Sequence, residues 1–135
     1  MSLFVNPDNS AFQDAIASKI YVDKTGLIEL TNSFLGTQQK FICNSRPRRF
    51  GKSMAANMLA AYYSKGCDSH ELFAGLAIEK SADYEKHLNK YDVIHFDVQW
   101  CFKEAGSAEK TVGFITQTIL SELRNIYRYV IGRFC

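Results

Sequence analysis

The sequence is short of several things, and each shortage excludes something. It has two prolines, one tryptophan and no long hydrophobic run. No stretch approaches the roughly 18 apolar residues that a membrane-crossing helix needs. The opening MSLFVNPDNS has no basic segment leading into an apolar one, so no signal peptide is expected. The four cysteines, Cys43, Cys67, Cys101 and Cys135, form no C-x-x-C pair, and no histidine stands near one at zinc-ligand spacing. A reduced, cytoplasmic chain with scattered thiols is the expectation. Lysine and arginine number 16 against 14 acidic residues, and a net charge of +2 does not argue for a nucleic-acid partner by itself. No internal repeat or low-complexity tract is visible.

What is present is the patterning of one ordinary globular domain of 135 residues. The turn-rich NPDNS (6–10) leads into a short helix over 11–19, with Phe12, Ala15 and Ile16 on one side. IYVDKT (20–25) reads as a short extended piece. Residues 26–36 place Leu27, Leu30 and Phe34 at helical spacing, and Gly36 is the expected stop. KFIC (40–43) reads as a buried strand. Residues 52–64 are rich in Ala, Leu and Met and apolar nearly all round, which predicts a helix sandwiched in the interior. A short helix and turn follow over 70–79, then a polar helix over 81–90 capped by Ser81. DVIHFDV (92–98) is the second strand, and 106–131 a long amphipathic helix with apolar residues at 112, 115, 119, 123, 126 and 130. Strands alternating with helices predict an α/β fold with a mostly parallel sheet.

One segment carries chemistry. NSRPRRFGKS (44–53) matches the closing half of the phosphate-loop pattern G-x-x-x-x-G-K-[ST], with Arg46 where the first glycine belongs. A turn running straight into a helix N-terminus aims unpaired backbone N–H groups at one point. Gly51 allows close approach of the backbone, Lys52 carries a compact charge to the outer phosphates, and the Ser53 hydroxyl is placed to ligate Mg2+. Pro47 has no N–H and stiffens the loop entry. The donors are expected from Phe50 through Ser53, and the wider nucleotide-binding set spans Arg46, Pro47, Arg48, Arg49, Phe50, Gly51, Lys52, Ser53 and Met54. The bland reading is a basic turn whose lysine is solvated.

Four strings, YVDKT (21–25), SRPRRFGKS (45–53), ELFAGLAI (71–78) and YDVIHFDV (91–98), together resemble the predicted AAA-ATPase-like family of bacterial and some eukaryotic microbial proteins. The resemblance covers about residues 12 to 105, and its R-P-R-R-F-G-K-[ST] run is specific. In that family arginine replaces the first glycine as a rule. The resemblance implies a P-loop NTPase fold and use of ATP with Mg2+. Many members also carry a nuclease-like domain at the C-terminus, and no such domain is recognisable here.

The same resemblance exposes a gap. The family's paired acids, in a motif like L-I-D-E-Y-D, have no counterpart after residue 98, where EAGSAEK (104–110) reads as a solvated first turn. Asp97 ends VIHFD (93–97) and is the remaining catalytic candidate beside Lys52. The bland reading makes it a strand-end acid, solvated or capping a turn. Few strands against about five helices predict an incomplete sheet with a bare edge. The chain is thus expected to be the N-terminal portion of an AAA-ATPase-like P-loop domain, truncated or completed by a partner chain that supplies the missing strands. The expected function is nucleotide binding with slow hydrolysis or none, so whether the chain is an enzyme stays open. The alternatives are a nucleic-acid or protein-binding module built on Arg46, Arg48 and Arg49, or an inactive fragment. Asp23 and Lys24 either contact the base or hold the N-terminal segment over the site, or simply form a salt-bridged turn. His95 reads as a core histidine, His70 and His87 as surface residues, and Tyr62, Tyr63, Trp100 and Phe102 as packing residues rather than base-stacking platforms.

Overall fold

The computed structural model describes residues 2–45, 47 and 51–128. Among the described residues seven helices follow in order: α1 (Ser10–Ile16), α2 (Gly26–Phe34), α3 (Lys52–Tyr63), α4 (His70–Phe73), α5 (Tyr84–His87), α6 (Val98–Ala105) and α7 (Ala108–Ile126), with a 3-10 turn at Ala77–Lys80 between α4 and α5. They fall into two compact units, one comprising residues 8–92 and the other residues 1–7 with 93–135.

The larger unit is organised around α3. Its Met58, Ala61 and Tyr62 pack in one cluster with Phe12 of α1, Ile28 of α2, Phe73 of α4, Ile78, Tyr84 and Leu88. The rings of Phe12 and Phe73 stack at 4.9 Å, and Tyr62 meets Phe73 edge-on at 5.5 Å. The near-continuous apolar surface of α3 is thereby covered from several sides, as its composition predicts.

The face that α2 turns inward keeps Leu27 of the expected stripe against the core but is otherwise shifted. Ile28, Thr31 and Asn32 are buried, while Leu30 is half exposed. The polar pair goes inside because it is paired there. The Tyr63 hydroxyl donates to Asn32 Oδ1 at 2.6 Å, Asn32 Nδ2 donates to the Tyr62 hydroxyl at 3.2 Å, and Thr31 Oγ1 lies 2.6 Å from the Tyr63 hydroxyl. Burial pushes the Tyr63 phenol up to about 12, still further from ionisation at neutral pH than an exposed phenol. Buried polar groups satisfied this way cost little.

The C-terminal carbonyls of α3 are also taken up. Asn89 sits in a left-handed conformation, φ 54°, that asparagine tolerates better than most residues. Its Nδ2 donates to the carbonyls of Ala61 (3.0 Å) and Ser64 (2.7 Å), its backbone N–H donates to Tyr62 O, and its Oδ1 accepts from Ser69 N–H. Ser69 Oγ donates to Ala61 O at 2.8 Å, and Tyr91 N–H donates to Tyr63 O at 2.9 Å.

The expected α/β fold with a mostly parallel sheet is not what forms. Among the described residues there is no strand, only the isolated bridges Val5–Ile94 (antiparallel) and Ser64–Tyr91 (parallel). The segment 40–43 is not a buried strand, since Phe41 is 87% exposed. Ile20 in the 20–25 segment is 85% exposed. A short apolar run does not by itself specify a strand, because a strand needs a neighbour to complete its ladder. The 92–98 run is interrupted by its own acid. The Asp97 carboxylate accepts from Gln99 N–H (2.8 Å) and Trp100 N–H (3.1 Å), an N-cap that starts α6 at Val98.

Two shorter corrections follow the same logic. The polar helix expected over 81–90 is the single turn of α5, and Ser81 does not cap it. His87 is buried, its Nδ1 2.6 Å from the Tyr91 hydroxyl, whereas His70 lies at the surface between Asp68 and Glu85.

In the smaller unit, residues 3–6 run beside 93–95. Asn6 N–H donates to Val93 O at 2.7 Å and His95 N–H to Phe4 O at 2.9 Å. The Glu122 carboxylate of α7 accepts from the N–H groups of Leu3, Phe4 and Val5. Helices α6 and α7 are joined at Gly106, φ +84°, with Ser107 capping α7, and Trp100 packs edge-on to Phe4 and 6.0 Å from Phe114.

The clamp on α3 gives a stability test. Asn89→Asp keeps the side-chain shape but turns two donors into acceptors facing the Ala61 and Ser64 carbonyls, and it is expected to cost about 2–3 kcal/mol in urea unfolding. Ile20→Ala, at an exposed position, should stay within about 0.5 kcal/mol of the parent.

Candidate functional site

The start of α3 is built differently from its end. Gly51 has φ +79°, and α3 begins at the next residue, with Gly51 O accepting from Ala55 N–H at 2.9 Å. The helix carries no side-chain cap and no acidic residue in its first turn. The N–H groups of that turn therefore face outward without an intrahelical partner. Lys52 and Ser53 are exposed side by side there, and neither side chain forms a hydrogen bond or ion pair among the described residues. Met54 completes the turn and is partly exposed. The helix macrodipole adds positive potential at this end, as does the lysine.

The segment 21–25 is fixed independently. Asp23 Oδ1 accepts from Thr25 N–H (2.8 Å) and from Thr25 Oγ1 (2.6 Å), and Oδ2 accepts from Ala77 N–H (2.7 Å). Thr25 is fully buried, and its Oγ1 accepts from Ile78 N–H at 3.1 Å. Burial works against the Asp23 carboxylate, but the hydrogen bonds from Thr25 and Ala77 outweigh it and hold the carboxyl below its usual value. YVDKT is thus stitched to the 3-10 turn of the ELFAGLAI segment. Lys24, between the two anchored residues, reaches the start of α3, where a methyl group placed on Gly51 would lie 2.9 Å from its Nζ. Position 51 favours glycine because of its left-handed turn, φ +79°, whereas the flexible lysine tip at its side could move away from a methyl group. An apolar cleft runs alongside, lined by Tyr21, Val22, Met54 and Met58 as well as by Lys24.

A sequence model of a family described as predicted AAA-ATPase (AAA-ATPase-like) matches residues 10–130. The chain belongs to that family. No curated protein and no solved structure matches it. Membership in this AAA-ATPase-like family is consistent, at a coarse level, with nucleotide binding and the use of ATP. No helix among the described residues is long and apolar enough to cross a membrane.

Of the residues singled out in this AAA-ATPase-like sequence, the structure brings Gly51, Lys52, Ser53 and Met54 together on one helical turn. Pro47 is exposed in the loop before it. Arg46, Arg48, Arg49 and Phe50 lie outside the described residues. Asp97 belongs to the smaller unit, where its carboxylate has the local task of capping α6. No group of three His, Cys, Asp or Glu side chains that could hold a metal ion occurs among the described residues. The approach of Lys24 to Gly51 had no signal in spacing or periodicity, and only the family string drew attention to it.

The Asp23 anchor makes a pH-dependent prediction. A carboxyl held low in the folded state contributes stability above its unfolded value near 4, and that contribution is lost as pH falls through the folded value. Asp23→Asn should cost about 1 kcal/mol at pH 7. The gap to the parent should shrink at pH 3, as read from urea midpoints at the two pH values.

Proposed function

We propose that this chain binds ATP with Mg2+ at the turn into α3, and that it hydrolyses the nucleotide slowly or not at all. One observation carries the reading. Gly51 turns in the left-handed region directly into a helix whose first turn has no side-chain cap and no acid, and which exposes Lys52 and Ser53 together. A polyphosphate is the ligand such an end accepts. The backbone N–H groups receive its oxygens, the macrodipole favours its charge, and Lys52 carries a point charge to the outer phosphates. Ser53 supplies a hydroxyl to the metal that the phosphates bring with them.

Slow turnover follows from the acids. Hydrolysis needs a carboxylate that polarises water or holds the metal opposite the serine. After residue 98 the chain offers Glu104, Glu109 and Glu122. The first two are exposed, and Glu122 holds the backbone of residues 3–5. Asp97 has its Oδ1 engaged by the first N–H groups of α6.

Lys52→Ala should weaken binding of a fluorescent ATP analogue at least about tenfold, the loss of one charge-assisted contact. The variant should unfold at the parent's temperature, because the side chain is exposed. Equal affinity in parent and variant would reject the site.

A further inference from the structure

His70, the first residue of α4, stands between two carboxylates from different parts of the larger unit. Its Nδ1 lies 2.6 Å from Asp68 Oδ1, and its Nε2 lies 3.1 Å from Glu85 Oε2 on α5. Its backbone is set as well, since His70 N–H donates to Asp68 Oδ1 at 3.1 Å. Both sides of this contact are tied to the core. Ser69 is fully buried and bonded to Ala61 O and to Asn89, while Asn9 Nδ2 donates to Asp68 O at 3.0 Å. On the α5 side, Tyr84 is buried, and its carbonyl accepts from the Tyr62 hydroxyl at 2.7 Å and from Leu88 N–H at 3.3 Å. Glu71 of α4 lines the hollow beside the ring, together with the neutral Asn9 and Gln13.

An ionised carboxylate only accepts hydrogen bonds, and a neutral imidazole has a single N–H. Both contacts of His70 are therefore hydrogen bonds only while the ring carries a proton on each nitrogen. The bonds to Asp68 and then Glu85 hold the ring above its ordinary value of 6.5, and the same contact holds the Asp68 carboxyl below its own. A ring that gives up one proton keeps its N–H on the shorter contact, to Asp68, and turns a lone pair toward Glu85. We propose that His70 is a pH-sensitive latch between α4 and α5, closed while the ring is an imidazolium and released from Glu85 when the ring becomes neutral. A group raised on folding contributes fully below its unfolded value, and that contribution is lost as pH rises through the folded value, so the latch opens on the alkaline side. All three side chains are exposed, which keeps the effect local and sensitive to salt.

NMR of the full chain between about pH 5 and pH 9 tests this, following the ring nitrogens of His70 and the exchange protection of the Leu88 amide in the parent, Glu85→Gln and His70→Arg. In the parent, His70 should titrate above its ordinary value, and Leu88 protection should fall about twofold to fivefold across that midpoint, the size expected of one exposed ion pair. Glu85→Gln should lower the midpoint and remove most of the fall, because an amide can donate to a ring lone pair as well as accept from an N–H. His70→Arg, charged throughout the range, should show no fall. A parent His70 that titrates at or below its ordinary value overturns the proposal, and so does protection that stays level through its midpoint. A fall of equal size in His70→Arg would assign it to another group, such as His87 on the same α5, and overturn the latch as well.

Discussion

Helix α3 is held by one end. At its C-terminus the carbonyls of Ala61, Tyr62, Tyr63 and Ser64 are taken by Asn89, Ser69 and Tyr91, and the body of the helix is packed against Phe12, Ile28, Phe73 and Tyr84. The axis is therefore fixed without help from the first turn. Gly51 supplies the left-handed turn that starts the helix, while the Lys52 and Ser53 side chains form no hydrogen bond or ion pair among the described residues. A cap or an acid in the first helical turn would stabilise the helix further.

The polar network beneath α2 belongs to the same economy of partners. Asn32 and Thr31 go inward because Tyr62 and Tyr63 present hydroxyls to them, and burial raises the pKa values of phenols that are protonated at neutral pH in any case. Periodicity of apolar residues points to Leu27, Leu30 and Phe34, of which Leu27 does pack against the core while Leu30 is half exposed. Hydrophobicity counts treat asparagine and threonine as outward residues, and they do not register hydrogen-bond partners that arrive from another helix. His87 was misplaced for the same reason, its partner being Tyr91.

The AAA-ATPase-like strings acquire physical content once folded. YVDKT and ELFAGLAI are not two separate signatures, because Asp23 and Thr25 accept hydrogen bonds from Ala77 and Ile78 and join them into one support. SRPRRFGKS ends where that support reaches α3. The run YDVIHFDV does not form a strand, and its terminal acid opens a helix instead. Asp97 caps that helix, since an aspartate followed by free N–H groups is an N-cap wherever the chain can turn.

The sequence by itself determined the family, the interior position of α3, its start immediately after Gly51, and the exposure of a lysine and a serine beside one another. These follow from local composition, from the permissive backbone of glycine and from a specific run of residues, none of which needs a distant partner. Only the tertiary structure decided that 40–43 and 92–98 stay out of a sheet, that Asn32 faces inward, and that Lys24 comes to rest at Gly51. Each of those depends on a hydrogen-bonding or packing partner far away in the chain, and such a partner exists only once the helices have docked.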